Sequence, residues 1–277
     1  MQVSVRAGCS SGSEATAAIE RPASLTVVGT GIRAGTELTP EARIAFEQAD
    51  VALYLVANPV EATLLKEIRG DARSLYDHYE RGVPRQKIYE RITEAMLAEV
   101  RGGQAVCAAF YGHPGIFVYP SHEAVRRARD EGYPARMLPA VSAEDCLFAD
   151  LGVDPGAAGC QSYEATDFLV RRREVDPTAA LILWQIAVIG EAVYSTTLRR
   201  DGLAVLAQYL RTWYEADHQV TLYEASPYPL VEAAVPTMAL ADLPGADATA
   251  LSTLYVPPLE PRPRDPEMMK RLGLCST

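Results

Sequence analysis

The sequence is short of positive charge: 26 Lys and Arg residues stand against 36 Asp and Glu residues, for a formal net charge of −10. Proteins that hold phosphate backbones rely on clustered Lys and Arg, so this balance argues against nucleic-acid binding as the main task. The densest basic runs are Arg126, Arg127 and Arg129, and then Arg171–Arg173, and both are interpreted as solvated faces. We expect no nucleic-acid partner.

Cysteines are few and long apolar runs are missing. The five cysteines form no CxxC pair and have no His at ligand spacing, which argues against a zinc site and a disulfide framework. No stretch approaches the ~20 apolar residues of a membrane span, and the first 23 residues lack the apolar core of a signal peptide. We expect a cytoplasmic protein with reduced thiols, no metal site and no membrane partner.

The composition is that of a globular protein, with 48% hydrophobic and 22% charged residues. A chain of 277 residues is comfortable as two domains that each bury a core. Residues 1–23 are rich in Ser, Gly and Ala and are interpreted as a flexible tail outside the fold.

In the first half of the chain, strands alternate with helices. Three apolar runs have strand length: Leu25–Val28, Val51–Val56 and Gln104–Phe110. Thr39 as N-cap before Pro40 opens a helix after the first run. Another helix begins at Pro84, carries an apolar stripe on one face and ends at Gly102. This alternation predicts a parallel sheet with covered faces.

The pattern changes after a last short strand at Arg136–Pro139. Ser142 and Asp145 predict a capping box for a helix that stops at Gly152. The predicted elements beyond it are strands near Cys160–Ala165, Ala180–Ile186, Val220–Ala225 and Ser252–Val256, and a helix at Leu203–Tyr214. More strands per helix indicate a mixed or antiparallel sheet. We predict two α/β domains, 24–139 with a parallel sheet and 140–258 with a mixed sheet, and a C-terminal extension at 259–277.

Two glycine-containing turns follow predicted strands. Gly29-Thr30-Gly31 lacks the third glycine and the acidic partner of a dinucleotide fingerprint, so it is either a packing turn or the edge of a cofactor site. Phe110–Gly115 (FYGHPG) lies where a buried strand ends, which is the edge at which open α/β sheets place ligands. His113 in this loop has two interpretations, a structural histidine or a ligand contact.

An aromatic and basic series follows between the predicted strands. Tyr76 and Tyr79 are three residues apart, and Arg85 and Tyr89 are four apart, so each pair shares a face if its segment is helical. From spacing alone, boundary aromatics beside a solvated Arg are the simpler interpretation, and a functional cluster is the alternative.

Together these residues resemble the tetrapyrrole-methylase superfamily, and within it the borosin peptide α-N-methyltransferases more closely. The superfamily pattern lies in Leu25–Gly31, in the glycine-proline loop and in Leu138–Ala143. The borosin-like runs are FYGHPGIFVYPSHEA from Phe110, EGYPARMLPAVSAEDCLFADLGVDP from Glu131, YEATDFL from Tyr163 and STLYVPP from Ser252. The resemblance extends from about Ser24 to Leu274.

The resemblance implies a two-domain tetrapyrrole-methylase-like enzyme that holds S-adenosyl-L-methionine between its domains, releases S-adenosyl-L-homocysteine and works as an interlocked homodimer without a metal. Matched by position, the cofactor-binding residues would be Tyr111, His113, Val118, Ser142, Ala143, Gln185, Tyr223, Ser252 and Thr253. The catalytic residues would be Tyr76, Tyr79, Arg85 and Tyr89. The resemblance therefore favours the functional interpretation of the tyrosines.

The residue types suit this chemistry. A sulfonium is attracted by carbonyl oxygens and aromatic faces, which Tyr111 and its loop supply. An amide nitrogen is a poor nucleophile because its lone pair is delocalised into the carbonyl. We hypothesise that Arg85 and a Tyr hydroxyl donate hydrogen bonds to the charge that grows on the amide oxygen. Tyr89 or Tyr79 would relay the proton, with a pKa that a nearby Arg lowers.

The sequence also departs from the fused fungal members, which continue into a clasp region and a C-terminal substrate peptide. It ends at Thr277 and so resembles split bacterial systems, in which a separate precursor peptide binds in trans. The aromatic-rich run of the family is here Tyr76-Asp77-His78-Tyr79, which changes the shape or polarity of the acceptor pocket.

Two other functions stay open. One is a precorrin-type tetrapyrrole C-methyltransferase. Its carboxylate-rich substrates favour a basic cleft, which the acidic composition of this chain does not indicate. The other is a non-catalytic peptide-binding relic of the fold, against which the intact Tyr79, Arg85 and Tyr89 speak.

Overall fold

The structure is a computed structural model that describes residues 22–56, 58–195 and 201–274. Most of the predicted tail, residues 1–21, lies outside the described residues, as do Cys9 and Cys275. The described cysteines, Cys107, Cys146 and Cys160, are free thiols. No helix in the described part of the chain combines the length and the apolar character that crossing a bilayer requires.

The first half of the chain forms a five-stranded sheet in which every pairing is parallel, with the strand order β3-β2-β4-β1-β5. Its strands are β1 Ser24–Gly29, β2 Val51–Leu55, β3 Arg73–Ser74, β4 Ala105–Phe110 and β5 Ala135–Met137. Its helices are α1 Pro40–Gln48, α2 Pro59–Ile68, α3 Arg85–Arg101 and α4 Tyr119–Asp130. The predicted parallel sheet is confirmed, whereas α2, α4 and β3 were not predicted.

Local sequence signals explain the helix ends. The Thr39 side chain accepts a hydrogen bond from Ala42 N at the start of α1. Helix α3 begins directly after Pro84, and its stripe Ile88, Ile92, Met96 and Val100 is fully buried against the sheet. On the outer side, Arg127 of α4 forms ion pairs with Glu90 and Glu94 of α3.

The second half forms a mixed five-stranded sheet with the order β6-β7-β10-β8-β9, in which only β6 and β7 pair in parallel. Its strands are β6 Cys160–Glu164, β7 Ala180–Trp184, β8 Gln219–Tyr223, β9 Thr237–Ala239 and β10 Thr253–Val256. The helices here are α5 Ala143–Leu151, α6 Pro155–Ala158, α7 Ala165–Val170, α8 Asp201–Leu210 and α9 Pro266–Arg271. The predicted mixed sheet is confirmed.

The predicted helix at Leu203–Tyr214 is wrong at its end, since α8 stops at Leu210. Tyr214 is nevertheless buried and packs in the same core, where its N–H donates to Leu210 O. The apolar pattern therefore continues through a turn that is no longer helical.

Helix α5 follows the last strand of the first sheet along the chain and precedes the first strand of the second. Ser142 N donates to Asp145 Oδ2 at 2.7 Å and Asp145 N donates to Ser142 Oγ at 3.2 Å, which confirms the capping box. Gly152 ends the helix in the left-handed region, with φ of 64°. The first sheet ends at Met137 and α5 begins at Ala143, so the predicted boundary near residue 139 falls between elements. The division into domains stays a prediction.

Candidate active site

The carboxyl ends of β1 and β4 meet at two glycines. Gly112 N donates to Gly31 O at 2.9 Å, which joins the two turns that follow these strands. A Cβ at Gly29 would lie 2.2 Å from Gly112 O and 2.6 Å from Pro114 Cδ. Glycine is required at position 29 because the backbone of the second turn occupies this space. The packing interpretation of the first turn is therefore supported, and a role at the edge of a cofactor site stays a prediction.

A cavity of about 220 Å³ opens beside these turns, between the two sheets. The loop after β4 forms one side, and the start of α5 and the ends of β7, β8 and β10 form the other. All predicted cofactor-binding residues line it: Tyr111, His113, Val118, Ser142, Ala143, Gln185, Tyr223, Ser252 and Thr253. The structure thus brings together residues that lie far apart in the sequence, and their role in binding stays a prediction.

Two aromatic residues that the sequence did not single out complete this cavity. The rings of Phe117 and Trp184 lie 5.6 Å apart between centroids, and Trp184 Nε1 donates to Ser162 Oγ at 2.7 Å. Phe117 and Gln185 both have positive φ, 55° and 58°. Left-handed backbone at residues other than glycine costs energy and concentrates at functional sites, so the cavity wall carries strain.

Polar side chains of the cavity are held by second partners. The Tyr223 hydroxyl donates to Asp150 Oδ2 at 2.8 Å, and burial, followed by this hydrogen bond, raises the pKa of Tyr223 well above its usual range. His113 Nδ1 accepts from Gly115 N at 2.9 Å, so its ring shapes the loop while it lines the cavity. Both interpretations of His113 therefore have support.

A second cavity of about 430 Å³ adjoins the first, because Tyr111 and Leu251 line both. The described residues around it are Leu55, Val56, Asn58, Pro59, Tyr76, Tyr79, Tyr111, Pro227, Tyr228 and Leu251. None of these side chains is charged, and the Asn58 side chain already accepts from Val60 N as the cap of α2. The second cavity is therefore apolar, with phenol hydroxyls as its main polar groups.

A tyrosine cluster forms one wall of the second cavity. Tyr76 lies in a 3-10 turn that Tyr79 ends, so the two share a tight turn and not the α-helical face that their spacing suggested. Their rings stack at 5.1 Å. Tyr194, which the sequence reasoning missed, packs its ring against Tyr79 at 5.0 Å and places its hydroxyl 3.2 Å from that of Tyr76.

Burial controls the state of Tyr79. It raises the pKa of this phenol well above the usual 10, the neighbouring Tyr89 raises it further, and the opposing effect of Arg85 is smaller. The expected lowering by Arg85 is thus outweighed in the case of Tyr79. Its hydroxyl is a neutral hydrogen-bond donor.

Arg85 and Tyr89 lie in the first two turns of α3, behind the tyrosine cluster. Arg85 places its guanidinium 5.9 Å from the centre of the Tyr194 ring and 3.6 Å from Glu191 Oε2. Its Nε is buried and has no hydrogen-bond partner among the described residues. Tyr89 stacks on Tyr119 at 6.1 Å. Tyr76 and Tyr79 therefore face the second cavity directly, whereas Arg85 and Tyr89 reach it through the cluster.

Acidic and thiol ligands are not gathered around either cavity. In residues 22–56, 58–195 and 201–274, no three side chains of His, Cys, Asp or Glu come together as a metal ion would require. The polar side chains that line the two cavities carry hydroxyls of Tyr, Ser and Thr, the His113 imidazole, the Trp184 indole and the amides of Gln185 and Asn58.

The fold and site define a two-sheet α/β protein whose ligand cavity lies at the carboxyl ends of parallel strands. Residues 24–228 match the family model of the tetrapyrrole (corrin/porphyrin) methylases, and the chain belongs to this family. The solved uroporphyrin-III-C-methyltransferase from Thermus thermophilus aligns with a TM-score of 0.59 and 20% identity, covering 85% of this chain and 94% of that chain. At this identity the likeness shows a common fold. The predicted superfamily resemblance is confirmed.

Curated fungal relatives are more similar in sequence. A methyltransferase/ribosomally synthesized cyclic peptide gymnopeptides precursor from Gymnopus fusipes is 40% identical over 91% of this chain. The corresponding omphalotin A precursor from Omphalotus olearius is 39% identical over 91%, and a type I borosin cyclic peptide precursor from Mycena rosella 38% identical over 94%. The chain spans 61%, 61% and 66% of these three relatives, respectively.

Proposed function

We propose that this chain is an S-adenosyl-L-methionine-dependent methyltransferase that methylates backbone amide nitrogens of a peptide. One observation carries the proposal: two adjoining cavities share Tyr111 and Leu251. The first is lined by every residue expected to bind the cofactor, and the second is lined by Tyr76 and Tyr79 of the tyrosine cluster. A donor and an acceptor held in these cavities would meet at Tyr111, which provides the proximity that a transfer reaction needs.

The first cavity fits a ligand with a sulfonium and no phosphate. Tyr111, Phe117 and Trp184 supply aromatic faces, which attract a cation, and no Lys or Arg of the described residues lines the cavity to repel one. Gly29 and Gly112 let the backbone of the loop approach closely. When bound, the cofactor supplies an electrophilic methyl group, and S-adenosyl-L-homocysteine is the leaving group.

The residues behind the second cavity fit activation of an amide. In the proposed reaction the amide nitrogen loses its proton and gains a methyl carbon, and negative charge grows on the amide oxygen as the proton leaves. The neutral Tyr79 hydroxyl donates a hydrogen bond to this oxygen, and the positive charge of Arg85 behind the tyrosine cluster stabilises it electrostatically. Tyr89, close enough to raise the pKa of Tyr79, relays the proton to solvent.

The lining of the second cavity favours a peptide with apolar side chains. No charged side chain of the described residues lines it, so a substrate with many carboxylates would lose hydration there without gaining an ion pair. This disfavours a precorrin-like tetrapyrrole as acceptor. The names of the fungal relatives, which combine a methyltransferase with a cyclic peptide precursor, support a peptide acceptor. We propose that the peptide is a separate chain and that the enzyme is a homodimer, as the sequence resemblance implies.

The proposal is tested with purified protein, S-adenosyl-L-methionine and short synthetic peptides added in trans. Tandem mass spectrometry is expected to show increments of one methyl group on backbone nitrogens of apolar peptides, and little on matched peptides in which Asp replaces the apolar residue. Arg85→Ala and Tyr89→Phe should both slow the reaction. Methylation on side chains, or normal rates in both variants, would contradict the assigned chemistry. A non-catalytic relic would bind the cofactor and methylate no peptide.

A further inference from the structure

A segment that follows strand β7 of the second sheet extends to the tyrosine cluster. The crossing segment, Gln185–Tyr194, begins at the first cavity, where strand β7 ends. Its far end pairs with the start of α3: Arg85 N donates to Ala192 O at 3.0 Å, and Tyr194 N donates to Val83 O at 3.0 Å. These backbone bonds fix the crossing segment directly beside Arg85.

The crossing segment brings a buried carboxylate to Arg85. The Glu191 side chain is 5% exposed, the Arg85 side chain 26%, and Glu191 Oε2 lies 3.6 Å from Arg85 Nη2. A charge that is buried to this degree is costly without a partner, so the guanidinium and the carboxylate hold each other in place. Nε of Arg85 has no hydrogen-bond partner in the described part of the chain.

Tyr194 of the same segment forms the floor under Arg85. The guanidinium carbon lies 5.9 Å from the centre of the Tyr194 ring, at the outer range of a cation–π contact. The same ring meets Tyr79 edge-on. Arg85 is thus held by the Glu191 carboxylate on one side and by the Tyr194 ring on its face.

We propose that Glu191 is a positioning residue for Arg85, an inference that rests on the proposed function. A neutral peptide carbonyl gains little from a fixed cation, but an oxygen that becomes negative in the transition state gains much. Glu191 therefore acts on kcat and hardly on the KM of the peptide. It does so through Arg85 and contacts no substrate.

The first test is a double-mutant cycle in the full chain. Glu191→Gln keeps the shape and removes the charge, and it should lower kcat about tenfold or more, which corresponds to roughly 1.4 kcal/mol. The KM values of peptide and cofactor should stay within about twofold. In an Arg85→Ala background, Glu191→Gln should have almost no further effect, because the group it positions is gone. Glu191→Asp, which keeps the charge, should restore part of kcat.

The matched control is Glu80→Gln. It removes the exposed ion pair that Glu80 forms with Arg91 of α3 at 3.0 Å, and it should leave kcat unchanged. Unchanged kcat in Glu191→Gln, or an equal loss in the presence and absence of Arg85, would overturn the proposal. If Glu191→Gln fails to fold, the Glu191→Asp variant carries the same cycle.

A second readout separates this inference from the proposed function. In a crystal structure of Glu191→Gln, the Arg85 guanidinium should leave its place over Tyr194. If the guanidinium moves in this way and the wild-type protein methylates no peptide, the proposed function is wrong but the positioning role is supported. An Arg85 that stays in place in the variant would overturn the positioning role, whatever the activity.

Discussion

Phe117 packs its ring 5.6 Å from the ring of Trp184 at the wall of the first cavity, although this requires a positive φ of 55° at Phe117. We expect this ring to cover the proposed cofactor. Phe117→Ala should weaken binding of S-adenosyl-L-homocysteine about tenfold, which corresponds to a loss of roughly 1.4 kcal/mol of binding free energy. Isothermal titration calorimetry measures this change. Val170→Ala, at an exposed apolar residue outside the cavity, should bind normally, and equal affinities of all three proteins would exclude the role of Phe117.

Tyr79→Phe tests whether the hydroxyl acts as a donor or as a base. Burial raises the pKa of Tyr79 above its usual 10, so the hydroxyl stays protonated across neutral and mildly alkaline pH. A neutral donor predicts that the ratio of wild-type to variant kcat is constant between about pH 6 and pH 9, with a loss of roughly tenfold to a thousandfold for one lost donor. Steady-state rates across this range measure the ratio. A ratio that climbs about tenfold per pH unit would instead show that ionised Tyr79 is the base.

The elements that the sequence predicted are those whose signals are local. Helix α3 carries its buried stripe at a regular spacing, and α5 has a capping box at Ser142 and a left-handed glycine at Gly152. Helix α4 was missed because most of its buried side chains are small and its outer face is dominated by arginines. Strands β3 and β9 have two and three residues, too few for an alternating pattern.

In the candidate site, too, residues with a local sequence signal were predicted and residues brought together by tertiary contacts were missed. Nine residues lining the first cavity were predicted through the family resemblance, which covers runs of contiguous sequence, whereas Phe117 and Trp184 were not singled out. Glu191 and Tyr194 were missed because they lie on an irregular segment with no periodic pattern. Their proximity to Arg85 arises only when a connection from the second sheet pairs with the start of α3. Such tertiary contacts leave no signal in a single sequence.

Glu61 predicts a pH dependence of stability. Its side chain is buried in α2, Oε1 has no partner among the described residues, and burial raises the pKa to about 7 despite a hydrogen bond from Thr30. The folded state thus binds this proton more tightly than the unfolded state, whose pKa is near 4.5. The stability that the protonated Glu61 carboxyl contributes is fully present below pH 4.5 and is lost as the pH rises through about 7.

Glu61→Gln should remove this dependence, because the amide stays neutral at every pH. Thermal unfolding midpoints between about pH 5 and pH 8 should fall less steeply in the variant than in the wild type, and the variant should be more stable at pH 8. Glu67→Gln serves as control, since Glu67 is an exposed residue on the same helix. Parallel curves for the wild type and Glu61→Gln would contradict the assignment.

Ser142→Ala tests a residue that belongs both to a helix cap and to the first cavity. Loss of the capping box should cost about 1 kcal/mol of stability. Thr39→Ala removes the corresponding cap of α1, which lies outside the cavity, and should cost a similar amount. Only Ser142→Ala should also weaken S-adenosyl-L-homocysteine binding, measured by calorimetry. Equal affinity in the two variants would limit Ser142 to its capping role.

Gly29→Ala tests the junction of the two turns that support the first cavity. The new methyl group would lie 2.2 Å from Gly112 O and 2.6 Å from Ala140 Cβ, so the loop after β4 must move. Overpacking of this kind lowers the free energy of unfolding by roughly 1–3 kcal/mol. Here it should also shift the part of the cavity wall that Tyr111 and His113 form. We expect a lower unfolding midpoint and weaker S-adenosyl-L-homocysteine binding together. Gly70→Ala has no atom within 4 Å of its new Cβ and should change stability by less than about 0.5 kcal/mol. If Gly29→Ala loses stability and keeps full affinity, the turn supports the fold without shaping the cofactor cavity.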